Sequence, residues 1–227
     1  MKKLVVLSGA GISAESGIQT FRGAGGLWEG HDIMEVASPQ GWANNPELVL
    51  EFYNKRRENV LNVFPNQAHT ILAELEQYFD VHIITQNIDD LHERANSSKV
   101  LHLHGEILKS RSSKNENLIY SMTKSRIEFG ETCELGSQLR PHIVWFGEDV
   151  PLIEKAAEQV FTADILVVVG TSLEVYPAAG LIRYAPKDCP IYVVDPNPMI
   201  AVARKVTHIV KPATSGLQEL KDILLKM

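Results

Sequence analysis

Six short apolar runs rich in Val and Ile punctuate the chain at positions 4–7, 81–84, 100–103, 142–146, 165–169 and 191–194, each followed shortly by Gly, Asn or Asp. Strands buried on both faces read this way, because they have no solvent side towards which to alternate. Several of the segments between them carry a helical period. Asn66 supplies a cap for a helix over 67–79, where Ile71, Leu72, Leu75, Tyr78 and Phe79 recur at helical spacing, and further helices are predicted over 151–161 and 217–225. Strands alternating with helices predict an α/β fold built on a doubly wound, Rossmann-like parallel sheet. Two stretches interrupt the alternation: 20–64 is too long for a plain crossover, and 108–139 is polar with no long apolar run. We read residues 1–227 as a single domain whose insertions, about 22–64 and 108–140, build a small module beside the sheet.

Composition narrows the function classes. At 227 residues with 44% hydrophobic and 22% charged positions, the chain has ordinary globular composition and length for one sizeable core. Lys and Arg number 22 against 28 Asp and Glu, a net charge of −6, so no broad basic face is available and no nucleic-acid partner is expected. The apolar stretch at 4–7 is too short for a signal-peptide core and no run approaches membrane-spanning length, so a cytoplasmic monomer without a membrane partner is expected. Cys133 and Cys189 are the only cysteines, too few for a disulfide framework or a four-thiolate zinc site, and neither lies in a reactive motif.

The first run leads into Gly9-Ala10-Gly11-Ile12-Ser13-Ala14, which fits the G-x-G-x-x-G/A dinucleotide pattern between a strand and a predicted helix. The same spacing also occurs as a plain tight turn. No second strand with an acidic ribose-binding residue follows about 20 positions later; Phe21-Arg22-Gly23-Ala24-Gly25-Gly26 stands there, which fits an ordinary nicotinamide dehydrogenase poorly. Thr85-Gln86-Asn87-Ile88-Asp89 and His102-Leu103-His104-Gly105 follow the second and third runs, at the strand ends where open α/β sheets place ligands.

Taken in order, Gly9-Ala10-Gly11-Ile12-Ser13, Gly17-Ile18, Phe21-Arg22, Thr85-Gln86-Asn87-Ile88-Asp89, His102-Leu103-His104-Gly105, Arg140-Pro141, Trp145-Phe146-Gly147-Glu148, Gly170-Thr171-Ser172-Leu173 and Asp195-Pro196-Asn197 resemble the sirtuins, the NAD-consuming protein lysine deacylases, over nearly the whole chain. The resemblance implies that Gly9, Ala10 and Gly11, with Phe21 and Arg22, hold the pyrophosphate and the nicotinamide-side ribose. It implies that Asn87, Ile88 and Asp89 line the nicotinamide pocket, that Gln86 contacts a ribose, and that Gly170, Thr171, Ser172 and Asn197 grip the adenosine half. His104 becomes the catalytic base and Asn87 a second catalytic residue. The imidazole, with an ordinary pKa near 6.5, suits that task better than the neighbouring Glu106. His102 shares a strand face with His104 and is read as structural. NAD is then a co-substrate, consumed to give nicotinamide, free lysine and O-acyl-ADP-ribose under a Gly-rich loop at 23–26.

Substrate choice draws on a helix that Asn45-Pro46 opens, with Val49, Tyr53, Arg56 and Val60 on one face. Read alone, Arg56 belongs to the solvated run Lys55-Arg56-Arg57 and Tyr53 to the core. Tyr-x-x-Arg here is similar to the sirtuin subgroup that removes succinyl, malonyl and glutaryl groups, which implies that the pair binds an acyl carboxylate. Acyl-lysine proteins or peptides are the implied partners, paired as an extended strand against Val144, Trp145, Phe146, Gly147 and Glu148 on one side and Leu173, Glu174 and Val175 on the other. Sirtuins usually hold a structural zinc with two Cys-x-x-Cys pairs; this chain has Cys133 alone in that region, with Ser112 and Asn115 where the first pair would fall, and no zinc is expected. Contacts among Leu118, Ile119, Tyr120, Ile127 and Phe129 are expected to hold the module instead. Protein mono-ADP-ribosyl transfer and a weakly catalytic NAD sensor are the alternatives.

Overall fold

The computed structural model describes residues 1–20, 27–28, 30–173, 175–197 and 206–227. In chain order its strands are β1 (Lys3–Ser8), β2 (Leu27–Trp28), β3 (His31–Asp32), β4 (Asp80–Thr85), β5 (Val100–His102), β6 (Gly105–Ser112), β7 (Ile119–Ser121), β8 (Leu139–Ile143), β9 (Ile165–Val169), β10 (Ile191–Val194) and β11 (Thr207–Ile209). Its α-helices are α1 (Ile33–Val36), α2 (Pro39–Asn44), α3 (Pro46–Asn62), α4 (Gln67–Glu74), α5 (Leu91–Arg94), α6 (Ile153–Phe161) and α7 (Ala213–Leu224).

Among the described residues, six strands form a parallel sheet in the order β11-β10-β9-β1-β4-β5. Successive strand residues point to opposite faces, and both faces are covered. Leu4, Val6, Val81, Ile83 and Val167 pack under α4 and α7, while Val5, Leu7, Ile84, Leu166 and Val168 pack under α6 and the 3₁₀ segment Ala178–Tyr184. Strand order reverses between β1 and β9, so the crevice at their carboxyl ends is the topological switch point. No described helix is long and apolar enough to cross a membrane.

The structure departs from the sequence reading at several places. The run at 142–146 is not a strand of the parallel sheet: β8 covers its first two residues, ends at Ile143 and pairs antiparallel with β6. The Gly9–Ala14 segment enters two 3₁₀ turns, Ala10–Ile12 and Ala14–Ser16, where an α-helix is predicted. The helix over 67–79 stops at Glu74 and continues as a 3₁₀ turn, and the C-terminal helix begins four residues earlier than its pattern indicates.

Beside the sheet, β7, β6 and β8 form a small antiparallel sheet. The long helix α3 is stitched to it by a fully buried Arg57, whose Nε donates to Ile107 O at 2.7 Å and whose Nη1 donates to Asn54 Oδ1 at 2.8 Å and to Ser125 O at 3.1 Å. Asn54 in turn brackets Ile127, donating to its carbonyl at 3.0 Å and accepting from its amide at 2.9 Å. The module's apolar cluster is Leu50, Ile127, Cys133 and Leu139 with Trp42, Leu118, Tyr120 and Met122. Ile119 and Phe129, expected inside, are exposed, because β7 is an edge strand and Phe129 leads into a turn at Gly130.

Candidate functional site

At the switch point the loops after β1 and β9 run against each other. Gly11 N donates to Gly170 O at 2.8 Å, and a Cβ on Gly11 would lie 2.6 Å from Gly170 Cα. Gly170 has φ +63°, and its own Cβ would meet Ile12 N at 2.3 Å. Glycine is therefore required here for loop-to-loop contact, a demand distinct from room for a pyrophosphate. The contact forms one wall of a cavity of about 540 Å³, the size of a small-molecule or cofactor site.

Most of the candidate residues converge on this cavity. Gly9, Ala10, Gly11, Tyr53, Arg56, Gln86, Asn87, Ile88, Asp89 and His104 line it, as do Val144, Phe146, Gly147, Glu148, Gly170, Thr171, Ser172, Val175 and Asn197. Leu173 is the exception: its side chain packs on the sheet core, and its φ of +57° removes it from an extended edge. Phe21, Arg22, the loop 23–26 and Glu174 lie outside the described residues.

One end of the cavity is organised around His104. Its Nδ1 lies 3.0 Å from Gln86 O. A carbonyl only accepts, so Nδ1 carries the proton and Nε2 keeps its lone pair. Burial holds this imidazole below its usual pKa, slightly opposed by the Gln86 hydrogen bond, so it is neutral and able to accept a proton at pH 7. Gly105 makes the placement possible: at φ +82° its Cβ would sit 2.1 Å from His142 O, so only glycine lets β6 leave His104 beside β8. Gln86 Nε2 reaches Thr171 Oγ1 at 3.2 Å, tying this end to the β9 loop, and Asn197 folds back on Asp195 Oδ1.

Behind Asn87 and Asp89 runs a buried polar chain. Ser13 Oγ donates to Asp89 Oδ2 at 3.1 Å and accepts from Asn87 Nδ2 at 3.1 Å. His69 stands 3.5 Å from Ser13 Oγ and packs edge-on against His92, which reaches Ser8 Oγ at 3.0 Å. Burial pushes His69 down to about 4 and His92 well below its usual range, and it raises the Asp89 carboxyl. Sequence pattern alone does not find His69 or His92; for His69 the available signal is a histidine on the buried face of α4, and the short helix Leu91–Arg94 gives none for His92.

A second group of lining residues is aromatic and cationic. Helix α3 presents Tyr53, fully buried, and Arg56, whose guanidinium lies 5.7 Å from the Phe52 ring centre. Burial raises the Tyr53 phenol, with Arg56 opposing, so it stays protonated. Trp145 packs against Tyr53 and Trp42 and is stacked under Arg140. Glu148 accepts from Arg140 Nη1 at 2.7 Å, Arg111 Nη2 at 3.2 Å and Trp145 N at 2.8 Å. Its carboxylate is thereby committed to fastening the turn 144–148, and Val144, Phe146 and Glu148 donate their amides to His104, Ala37 and Trp145 carbonyls. The polar composition of β6 conceals Arg111, and the Arg140-Pro141 motif gives no hint of the ion pair with Glu148.

The zinc-site region of the module has donors unsuited to that metal. Cys133 Sγ lies 3.0 Å from Ser137 Oγ, which lies 2.6 Å from Ser112 Oγ; Ser112 Oγ also accepts from the amides of Lys114 and Asn115. One thiol and two hydroxyls already bonded to one another do not make a tetrahedral zinc site. The Ser137 and Ser112 hydroxyls lower the Cys133 thiol to about 7, a more acidic group than an inert buried cysteine.

The profile of the Sir2 family matches residues 9–177. NAD-dependent protein deacylases of Helicobacter pylori and Bacteroides thetaiotaomicron are 56% and 51% identical over 228 and 231 residues, covering 100% and 99% of this chain and 97% and 99% of their own. A Sir2 homologue solved as an NAD complex matches with a TM-score of 0.90 at 40% identity, covering 99% of this chain and 90% of its own. A Sir2 complex with p53 peptide and NAD matches with a TM-score of 0.79 at 27% identity, covering 99% of this chain and 94% of its own. A family match over most of the chain, relatives sharing half its residues, and a common α/β fold with its cavity at the β1/β9 switch point lead to one conclusion: the chain belongs to the Sir2 family.

Proposed function

We propose that this chain is an NAD-dependent protein lysine deacylase that removes succinyl and malonyl groups faster than acetyl. The observation that carries the reading is the presentation of Tyr53 and Arg56 by α3 to the cavity that His104 lines. A guanidinium and a phenol hydroxyl beside its aromatic wall can grip an acyl carboxylate by charge-assisted hydrogen bonds, while an acetyl group has no carboxylate to offer them. His104 would accept the proton of a ribose hydroxyl at Nε2, its Nδ1 being held by Gln86. Asn87, Ile88 and Asp89 would receive nicotinamide, Gln86 and the β1 loop the adjoining ribose and pyrophosphate, and Thr171, Ser172 and Asn197 the adenosine half. Acyl-lysine peptide would lie along the turn 144–148 and Val175, met chiefly by backbone since Glu148 is otherwise engaged.

Matched succinyl and acetyl peptides test the preference: a higher kcat/KM for succinyl in the wild type supports it, and equal values sink it. The same incubation with NAD separates the rival activities. Nicotinamide release matched to peptide deacylation supports the deacylase, label transferred onto protein supports ADP-ribosyl transfer, and NAD binding without turnover supports a sensor.

A further inference from the structure

His102 and His104 stand two residues apart and reach successive carbonyls of the segment after β4: His104 Nδ1 lies 3.0 Å from Gln86 O, and His102 Nδ1 lies 3.0 Å from Asn87 O. Their other nitrogens differ. His104 Nε2 is left to the cavity, whereas His102 Nε2 is 2.8 Å from Glu93 Oε1 on α5, with the His102 side chain only 8% exposed. Both neighbours of His102 are acceptors, a carbonyl and a carboxylate, so both ring nitrogens must donate, which makes the ring an imidazolium.

We propose that His102, clamped by Glu93, is a positioning residue for the nicotinamide end of the site, fixing the Asn87 carbonyl and with it the side chains of Asn87 and Asp89. The inference rests on the deacylase reading for what that end binds. Asn87 is then held from two sides, its carbonyl by His102 and its side-chain amide by Ser13 Oγ. The charged groups around the ring favour the imidazolium: Glu93 from α5, Glu106 from β6, and Asp89 from the segment itself; His92 is neutral, and Lys109 pairs with Glu106 at 2.6 Å. Burial alone would lower His102, and the Glu93 hydrogen bond and charge outweigh it, holding the ring above its usual pKa.

Two near-isosteres separate the clamp from a generic structural role. Asn at 102 places an amide where Nδ1 stood and can still donate to the Asn87 carbonyl; Gln reaches towards Glu93 and cannot. Expected are a KM for NAD near wild type in His102→Asn and about tenfold higher in His102→Gln and His102→Leu, the scale of one lost charge-assisted hydrogen bond. The KM for acyl peptide stays unchanged in all three. Ring-nitrogen NMR of the ligand-free protein should show His102 as an imidazolium at pH 7 and Glu93→Gln should lower its titration point. The proposal is overturned if the three variants share one KM for NAD, or if the wild-type ring is neutral at pH 7. A wild-type chain that released no nicotinamide would remove the deacylase reading instead. The clamp would then stand or fall on the ring titration and on the Ile88 amide signal, which should shift in the Gln variant and hold in the Asn variant.

Discussion

The two ends of the cleft are built on opposite plans. Around Gln86, Asn87, Asp89 and His104, protein groups satisfy one another: two histidines hold two successive carbonyls, Ser13 joins Asn87 to Asp89, and His69 and His92 close the network behind them. Around Tyr53 and Arg56 the wall is the Trp145 ring, with Phe52 and Trp42 packed against these residues, and the candidate acyl-binding pair sits on one face of one helix. A network of mutual bonds resists change at any one member, because removing one strands its partner in a buried place. At the other end Arg140 and Arg111 are already paired with Glu148, so a substitution at Arg56 changes its character. Chemistry at the first end should therefore be common to every acyl substrate, and discrimination should reside at the second.

Removing the base is the most severe test. In the proposed reading His104→Ala lowers kcat/KM by roughly 10²–10⁴ on succinyl and acetyl peptides alike, while NAD binding measured by calorimetry persists. A loss confined to one acyl group would break the division between the ends. Next in size is Arg56→Met, which keeps the volume and removes the charge. The succinyl-to-acetyl ratio of kcat/KM should fall by about 10- to 100-fold, the worth of a charged hydrogen-bonded pair, with acetyl turnover maintained.

The pH profile is a gentler probe of the same contrast. His104 has its pKa lowered by burial, so its neutral, proton-accepting form predominates at pH 7 and the acid limb of kcat/KM should lie below 6.5. Arg56 stays charged throughout. The limb should therefore be superimposable for the two acyl groups, and their ratio flat between pH 6 and 8. Stability should fall over an overlapping acid range: buried His69 and half-buried His142, both lowered to about 4, take up protons in the unfolded chain between about 6.5 and 4 before they do so in the folded one. Thermal melts across that window distinguish the two effects, because activity lost at full folding belongs to His104.

How far the sequence speaks depends on what buries each segment. β1 and β9 are covered by apolar helices on both faces, so their runs of Val, Leu and Ile announce them. β6 is buried at most positions, Lys109 apart, but carries Ser110, Arg111 and Ser112; Arg111 is buried by pairing with Glu148 and Ser112 by Ser137, and partners distant in the chain leave no local pattern. β11 is a three-residue edge strand, below the length at which period says anything. The glycines and histidines of the cleft are legible because backbone geometry demands their types. The roles of Glu148 and His102 are not, since each depends on a neighbour brought in by the fold: Arg111 on another strand, and Glu93 on a short helix.

The smallest effect is expected where the family resemblance leads one to look for the largest. A zinc site ordinarily contributes folding free energy outright, and chelation then unfolds the module that holds it. Here Cys133, Ser137 and Ser112 form a chain of hydrogen bonds in that region, and Arg57 and Asn54, bonded to each other on α3, fasten the module to that helix by four bonds to Ile107, Ser125 and Ile127. Chelator treatment should leave both Tm and deacylation unchanged, and elemental analysis should find no stoichiometric metal; one zinc per chelator-treated chain would refute this account. Ser137→Ala should cost only about 1–2 kcal/mol, the net worth of its bonds to Ser112 and Cys133, whereas Arg57→Met strands Asn54 and the Ile107 and Ser125 carbonyls and should cost about 3 kcal/mol or more. If the ranking inverted, the hydroxyl and thiol chain would be the module's main fastening, and α3, with its Tyr53 and Arg56, would be anchored through it.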